Sequence, residues 1–334
     1  MNGVQKVIKY CAMAFAVFLS VVIFGAIATA VVGVATGVAG VSMFAEEKER
    51  VDLSREYSLE DIERLGIEDI LIDCNAEIIV KCGEVLSIEA SNVTEDYEIR
   101  CANGELSIVE ERSNFYFNWI FLGKDATVRE RVEVTIPAGF KAEQVTIYSG
   151  SGEVSVTGAE ADRLMIDSGS GRLTVQAVNV AKLTVESGSG RVSLTDVTAE
   201  ETVLNTGSGR VSAEDSVLGI LELDSGSGSV NLENVAVSDV ILDSGSGSVT
   251  IKGDITGNCM FDTGSGSISV AVNGAEEDYR VVVDSGRGIF RINGRKTEDG
   301  SYGKNVRGEL EFDSGSGSVS IMFNTPQEES TTDR

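Results

Sequence analysis

Histidine is absent from all 334 residues. That removes Ser-His and Cys-His nucleophile pairs, His-metal sites and the side chain that normally titrates near neutrality. Any metal centre would need all its ligands from cysteine or carboxylate. Cysteine is scarce too, at five residues. Cys11 falls in an apolar run. Cys74, Cys82 and Cys101 lie close together at spacings that fit no zinc pattern. In an oxidising exterior one pair of these three could bridge, but they read mostly as core packing. Basic residues are in short supply, 27 against 53 acidic ones, for a net charge of −26. Such a surface repels nucleic-acid phosphate and anionic headgroups, which excludes nucleic acid as a partner of the body, and it attracts cations or basic partners.

Acid is missing altogether from residues 1–45, which carry only Lys6 and Lys9. From Tyr10 to Ala45 there is no charge. About 20 apolar residues cross a bilayer as a helix. A cleaved signal peptide is the rival reading, with a small-x-small pattern at Ala28-Thr29-Ala30. The apolar stretch, however, runs well past the ~7–15 residues of a signal core, which favours an uncleaved anchor. Lysines before the span and "EEKER" after it place the N-terminus in the cytoplasm and the body outside.

What the sequence has in abundance is one phrase. "DSGSGSV" occurs at 224–230, 243–249 and 313–319, with close variants beginning at 148, 167, 186, 205, 262 and 284. The first glycines, from Gly150 to Gly264, are spaced 19 residues apart, and Gly286 and Gly315 follow at longer intervals. A fixed period of this size marks a repeat architecture. Apolar residues alternate within each repeat, as in Leu173/Val175 after the turn and Leu183/Val185 before the next, which argues strand. Each repeat therefore reads as two short half-buried strands joined by the Gly-Ser turn, with a looser second corner.

Antiparallel hairpins closed by Gly-containing turns are one solution. A stack of parallel coils is the other. The constant period favours the stack, because each position then rests on its equivalent one coil back, ~4.8 Å away. The expected fold is an all-β parallel β-solenoid (β-helix) of about 19-residue coils, preceded by one N-terminal transmembrane helix. The two long late intervals read as outward bulges, chiefly at 293–308. In the turns, glycine is expected to supply unusual φ values, and serine to supply hydrogen-bonding ladders.

The organisation follows: a cytoplasmic N-terminus (1–9), an anchor and Gly/Ala-rich stem (10–45), a linker with a short capping helix (46–66), a degenerate β region (67–147), the repeats (148–323) and a loose tail (324–334). "SLEDIERLG" at 58–66 has a Ser cap, early acids and a terminal Gly, the marks of a short helix. The aromatic run "FYFNWIFLG" at 115–123 reads as a buried cap in preference to an exposed sticky loop.

"VEVTIPAGF", then "VTIYSGSGEVSVTG" and the successive "SGSG" strands closely resemble a bacterial adhesin-named strand-repeat family, domain of unknown function 4097, over residues 67–323. The resemblance implies a bacterial envelope protein with a β-solenoid. It supplies no catalytic residues.

The residues themselves point away from catalysis. "GSGSG" leads into a strand every time, not into the helix of a phosphate-binding loop. The residue before each turn is Asp167, Glu186, Asn205, Asp224, Asp243 and Asp262, with Asp284 and Asp313 later. If its neighbours point inward, it forms an outward carboxylate row. Calcium could use such a row, but the nonapeptide calcium repeat is absent, which favours a solvated acidic edge partly offset by Arg172, Arg191 and Arg210. Polysaccharide-acting β-helices cluster their acids where the repeat breaks, whereas here the acids follow it. No catalytic, cofactor or metal residue is assigned. The expected function is a membrane-anchored, extracytoplasmic, non-enzymatic surface scaffold or adhesin whose partner is an envelope protein or polymer. The alternative is an envelope-stress or signalling accessory that contacts another membrane protein. The loop 293–308 and the run 115–123 are its candidate contact points.

Overall fold

A computed structural model describes residues 49–111 and 129–324, all within one compact unit. The expected anchor at 10–45, the aromatic run 115–123 and the tail after Asn324 lie outside the described residues. Among the described residues, no helix is long and apolar enough to cross a membrane.

The described chain is all-β and solenoid-like. Strand β10 (Glu160–Ser168) lies parallel to β12 (Asn179–Ser187) with Leu164 beside Leu183, and β12 repeats this on β14 (Thr198–Thr206) with Leu183 beside Thr202. After the turn, β11 (Arg172–Gln176) pairs likewise with β13 (Arg191–Thr195). Each residue thus pairs with its equivalent 19 positions on, and two parallel ladders face each other across one core. Further along, β15 (Arg210–Ser225) and β16 (Ser229–Ser244) each run through both ladders. The side chains between the ladders are aliphatic, Val175, Leu183, Val185, Leu194 and Leu204 among them. Alternation puts them inward and Ser, Thr and Glu outward. Cys259 occupies one such inward position beside Phe261 and is 2% exposed.

The Gly-Ser corner carries backbone pairing around the turn at three of its four positions. Gly188 N donates to Ser168 O, Ser189 N to Gly169 O and Arg191 N to Gly171 O. Most backbone groups of successive corners are therefore satisfied by each other, and a side chain serves the second glycine at Gly266, whose N–H donates to Thr263 Oγ1 at 3.1 Å. The role of glycine differs from expectation. From Gly150 to Gly264 the corner glycines keep ordinary φ values. What they lack is room: a Cβ on Gly188 would sit 2.6 Å from the carbonyl oxygen of Gly169, and one on Gly247 only 1.9 Å from that of Gly228. Glycine is required because stacked corners touch.

Left-handed backbone sits instead at the second corner, 19 residues apart, at Gly158 (φ 68°), Ala177 (φ 51°), Asp196 (φ 53°), Asp215 (φ 50°) and Asn234 (φ 53°). Aspartate and asparagine tolerate this conformation, and alanine resists it.

Coils at the two ends do not stack in sequence order. β2 (Asp69–Asp73) and β3 (Glu77–Gly83) form a coil that rests on β8 (Ala142–Ser149) and β9 (Val154–Thr157). Its other side is covered by β6 (Glu105–Glu110) and β7 (Arg131–Pro137), which come later in the chain. Beyond these, β5 (Tyr97–Ala102) closes on β6 and β4 (Leu86–Thr94) on β7, both antiparallel. At the far end, β24 (Gly308–Ser314) and β25 (Ser318–Asn324) slip between the coil of β18 (Gly257–Thr263) and β19 (Ser267–Asn273) and that of β20 (Tyr279–Asp284) and β21 (Ile289–Ile292). Phe312 consequently stacks on Phe261 with ring centroids 4.7 Å apart and meets Phe290 at 5.6 Å.

The segment 293–308, expected to bulge outside the register, contributes closing strands. β22 (Arg295–Thr297) pairs antiparallel with β21, and β23 (Gly300–Gly303) with β20. An open stack would otherwise leave two unpaired edges there. Residues read as linker form β1 (Arg50–Tyr57), which pairs antiparallel with β4. The helix follows as α1 (Leu59–Leu65), with Ser58 and Asp61 in a capping box and left-handed Gly66 at its end.

Candidate functional surface

The pre-turn strands carry the acidic residues on their outer face. Asp167 lies beside Glu186, Glu186 beside Asn205, Asn205 beside Asp224, and Asp224 beside Asp243. Asp243 then meets Asp262, Asp262 meets Asp313, and Asp313 meets Asp284. The inserted final coil thus makes one uninterrupted carboxylate file from Asp224 to Asp284. Burial lifts the Asp262 carboxyl above its usual range, and the charges of Asp313 and Asp243 add to the effect. Two residues back on the same face stand the exposed Ile241 and Met260, neighbours across the ladder. The sequence reading, intent on the charged row, passed over them.

Arg172, Arg191 and Arg210 are also stacked in register, but on the other ladder. They do not offset the acidic row across the corner. Arg172 pairs with Glu153 at 3.2 Å, and Arg210 donates to Ser229 Oγ at 3.3 Å. Other ion pairs also run coil to coil, as in Lys182–Glu201 at 2.5 Å and Lys252–Glu233 at 2.7 Å. These are exposed pairs, each worth roughly 0–1 kcal/mol.

Two shallow grooves flank the Gly-Ser corner. One, of about 420 Å³, is lined by Asp167, Glu186, Asn205 and Asp224. The other, of about 480 Å³, is lined by Arg191, Arg210 and corner serines from Ser189 to Ser246. Both repeat along the stack, so neither gathers different groups at one point. Among the described residues no three or more Cys, Asp and Glu side chains converge in a way that could hold a metal ion.

Cys74 is buried, Cys82 is an exposed free thiol and Cys101 a partly buried one. Cys82 is the next-to-last residue of the ladder strand β3, and Cys101 the next-to-last of the closing strand β5. Burial pushes the Cys259 thiol up to about 12, against a weaker lowering by a hydrogen bond from the Val240 backbone.

The Toastrack DUF4097 family model matches residues 67–308 and 213–333, which is the whole repeat region and the degenerate coils before it. This chain belongs to the Toastrack family. Solved structures match the chain at low identity. A protein of Parabacteroides distasonis described as a putative lipid binding protein is 13% identical, with a TM-score of 0.52 over 80% of this chain and 96% of that one. A putative adhesin from the same species is 12% identical, with a TM-score of 0.48 over 83% and 98%. One from Bacteroides fragilis is 13% identical, with a TM-score of 0.41 over 82% and 98%. At 13% identity the likeness to the first of these speaks for the fold alone. No curated protein matches the chain.

Proposed function

We propose that this Toastrack protein is a non-enzymatic surface scaffold or adhesin. In this reading residues 10–45 anchor it in the cell membrane with the N-terminus cytoplasmic, and the described residues project outside as a β-solenoid of 19-residue coils. The observation that carries the proposal is the register itself. Acidic and serine side chains recur from coil to coil in files, and Arg172, Arg191 and Arg210 line up on three successive coils, whereas catalysis needs unlike groups converging on one reacting atom. A repeated face suits an extended partner, an envelope protein or polymer.

The test is made on intact cells carrying a C-terminally tagged chain. External protease should remove the tag, and crosslinking should capture a partner on the repeat region. Protection of the tag would sink the localisation. Cleavage of a polysaccharide by the purified protein, abolished by one Asp substitution, would replace the scaffold with an enzyme.

A further inference from the structure

The serine files break at both ends, and only one end turns basic: at the other, Asn75 and Ala76 stand at the corner and Ser155 pairs with Ile79, which pairs with Glu133. The outward corner position holds serine in the coils from Ser151 to Ser265 and again at Ser316, but the last coil in space, formed by β20 and β21, has Arg287 there. Four residues on, the outward file of the post-turn ladder is small and polar throughout. It runs from Ser155 and Thr174 through Asn231 and Thr250 to Ser269 and Ser320. It ends on Arg291, paired with Ser320. Across the antiparallel closing pair, Arg291 lies directly opposite Lys296. Like charges so placed destabilise a sheet.

None of the side chains of Arg287, Arg291 and Lys296 has an ion-pair or hydrogen-bond partner among the described residues, and all three are exposed. The nearby acids are engaged or lie elsewhere. Glu276 holds Arg295 at 3.1 Å and Asn293 at 2.6 Å, Asp299 accepts from Ser285, and Asp284 stands on the other ladder. Glu298 is exposed, and its carboxylate has no partner among the described residues. Between residues 285 and 308 there are six basic side chains and two acidic ones, in a chain whose net charge is −26.

Edge protection is the bland explanation, since short strands with charged side chains discourage edge-to-edge pairing. It covers Arg295 and Lys296 on β22. It does not cover Arg287 in a corner or Arg291 on a strand paired on both sides, and at the opposite end β5 and β6 mix acids with a single arginine.

We propose that Arg287, Arg291 and Lys296 form a receptor for a linear polyanion, a polymer bearing phosphate or carboxylate groups. This rests on the scaffold reading and names its partner. Guanidinium groups bind both oxyanions in forked geometry. Arg287, Ile289 and Arg291 alternate outward at about 6–7 Å intervals, a row for a chain and not a pocket for a small ion. A broad anionic surface, a membrane or a folded acidic protein, would bring much of its charge within about 8 Å of the acidic body, one screening length at physiological salt. A single polymer strand can meet the basic end alone.

The experiment measures binding of full-length protein in detergent to linear polyphosphate, to alginate and to neutral dextran. It compares wild type with Arg287→Ser/Arg291→Ser, which restores the residue type found in the other coils and so preserves the fold, and with Lys296→Thr. Wild type is expected to bind a polyanion in a salt-sensitive manner and to ignore dextran. The double variant should lose at least about tenfold in affinity with an unchanged melting temperature. Preference between polyphosphate and alginate identifies the oxyanion. Equal binding by the double variant, no polyanion binding at all, or binding only to anionic vesicles would overturn the receptor. The scaffold reading would then still be judged separately, by partner capture at the cell surface.

Discussion

At Ala177 a methyl group occupies a backbone position with φ 51°, which its counterparts fill with Gly158, Asp196, Asp215 and Asn234. The left-handed conformation costs an ordinary L-residue roughly 1–2 kcal/mol, partly offset because glycine loses more entropy on folding. Ala177→Gly should therefore stabilise the fold by about 0.5–1 kcal/mol, read as a higher denaturant midpoint with an unchanged slope. A lower midpoint would show that the Ala177 side chain contributes packing that outweighs its strain. The Gly-Ser corner behaves oppositely. In Gly207→Ala the new Cβ would meet the Gly188 carbonyl oxygen at 2.6 Å, and neither backbone can retreat without losing ladder bonds. A loss of about 1–3 kcal/mol is expected, the usual range for overpacking, whereas the exposed Ser208→Ala should stay within about 0.5 kcal/mol. Cys259 tests the strand phase. Its buried thiol, shifted to about 12, should resist alkylation at neutral pH while exposed Cys82 reacts, and Cys259→Asp should cost several kcal/mol through an unpaired buried charge.

Among elements, the closing strands decide more than their length suggests. β22 and β23 total seven residues, yet they cover β21 and β20. Tyr302 packs against the core from β23, and Asp299 accepts from both the backbone and the hydroxyl of Ser285. Deleting 293–303 with a short linker should lower the melting temperature and promote concentration-dependent association through the bared edges. A monomer of unchanged stability would return that segment to the role of a dispensable loop. Here the limits of the sequence are physical. Period and alternation made the 19-residue coil legible, along with the inward phase of Cys259 and Phe261, because in-register stacking repeats every side-chain environment. Coil order was not legible. Asp262 pairs with Asp313, 51 residues away, and nothing local separates "DSGSGSV" at 313 from its copies as a partner for that edge. The corner glycines were recognised but misexplained, since the distance to the preceding carbonyl exists only in the stack. The carboxylate file followed from the period, but its closure from Asp262 through Asp313 to Asp284 needed the coil exchange. Arg287 and Arg291 could have been found as departures from two serine columns, had the coils been aligned position by position.

For the molecule as a whole, the lack of histidine and the excess of acid set how stability responds to pH. No side chain has its ordinary titration between about pH 5 and 8 in such a chain, so the response depends on carboxylates shifted in opposite directions. Asp262 is raised by burial and by Asp313 and Asp243. Its folded form takes up a proton more readily than the unfolded chain, so its contribution is fully present below the usual aspartate range and is lost as pH rises through the raised value. Asp61, Glu98, Glu133, Glu233 and Asp299 are lowered, each chiefly by a side-chain hydrogen bond, from Ser58, Arg100, Lys81, Lys252 and Ser285 respectively. Their contribution is present above the usual carboxylate range and disappears as pH falls through the lowered values. Lowering the pH should thus protonate Asp262 before the hydrogen-bonded carboxylates are touched, and further acidification should undo them. The melting temperature is expected to rise first and then to fall as the pH is lowered through the carboxylate range. Screening gives an independent check. Added salt should raise the melting temperature at pH 7 by weakening repulsion along the file, and Asp262→Asn should raise it at pH 7, reduce its salt dependence and lose its advantage in acid. A melting temperature that only falls as the pH is lowered, or an Asp262→Asn variant as salt-sensitive as the wild type, would mean that solvent already screens the carboxylate file and that the acidic edge costs the fold nothing.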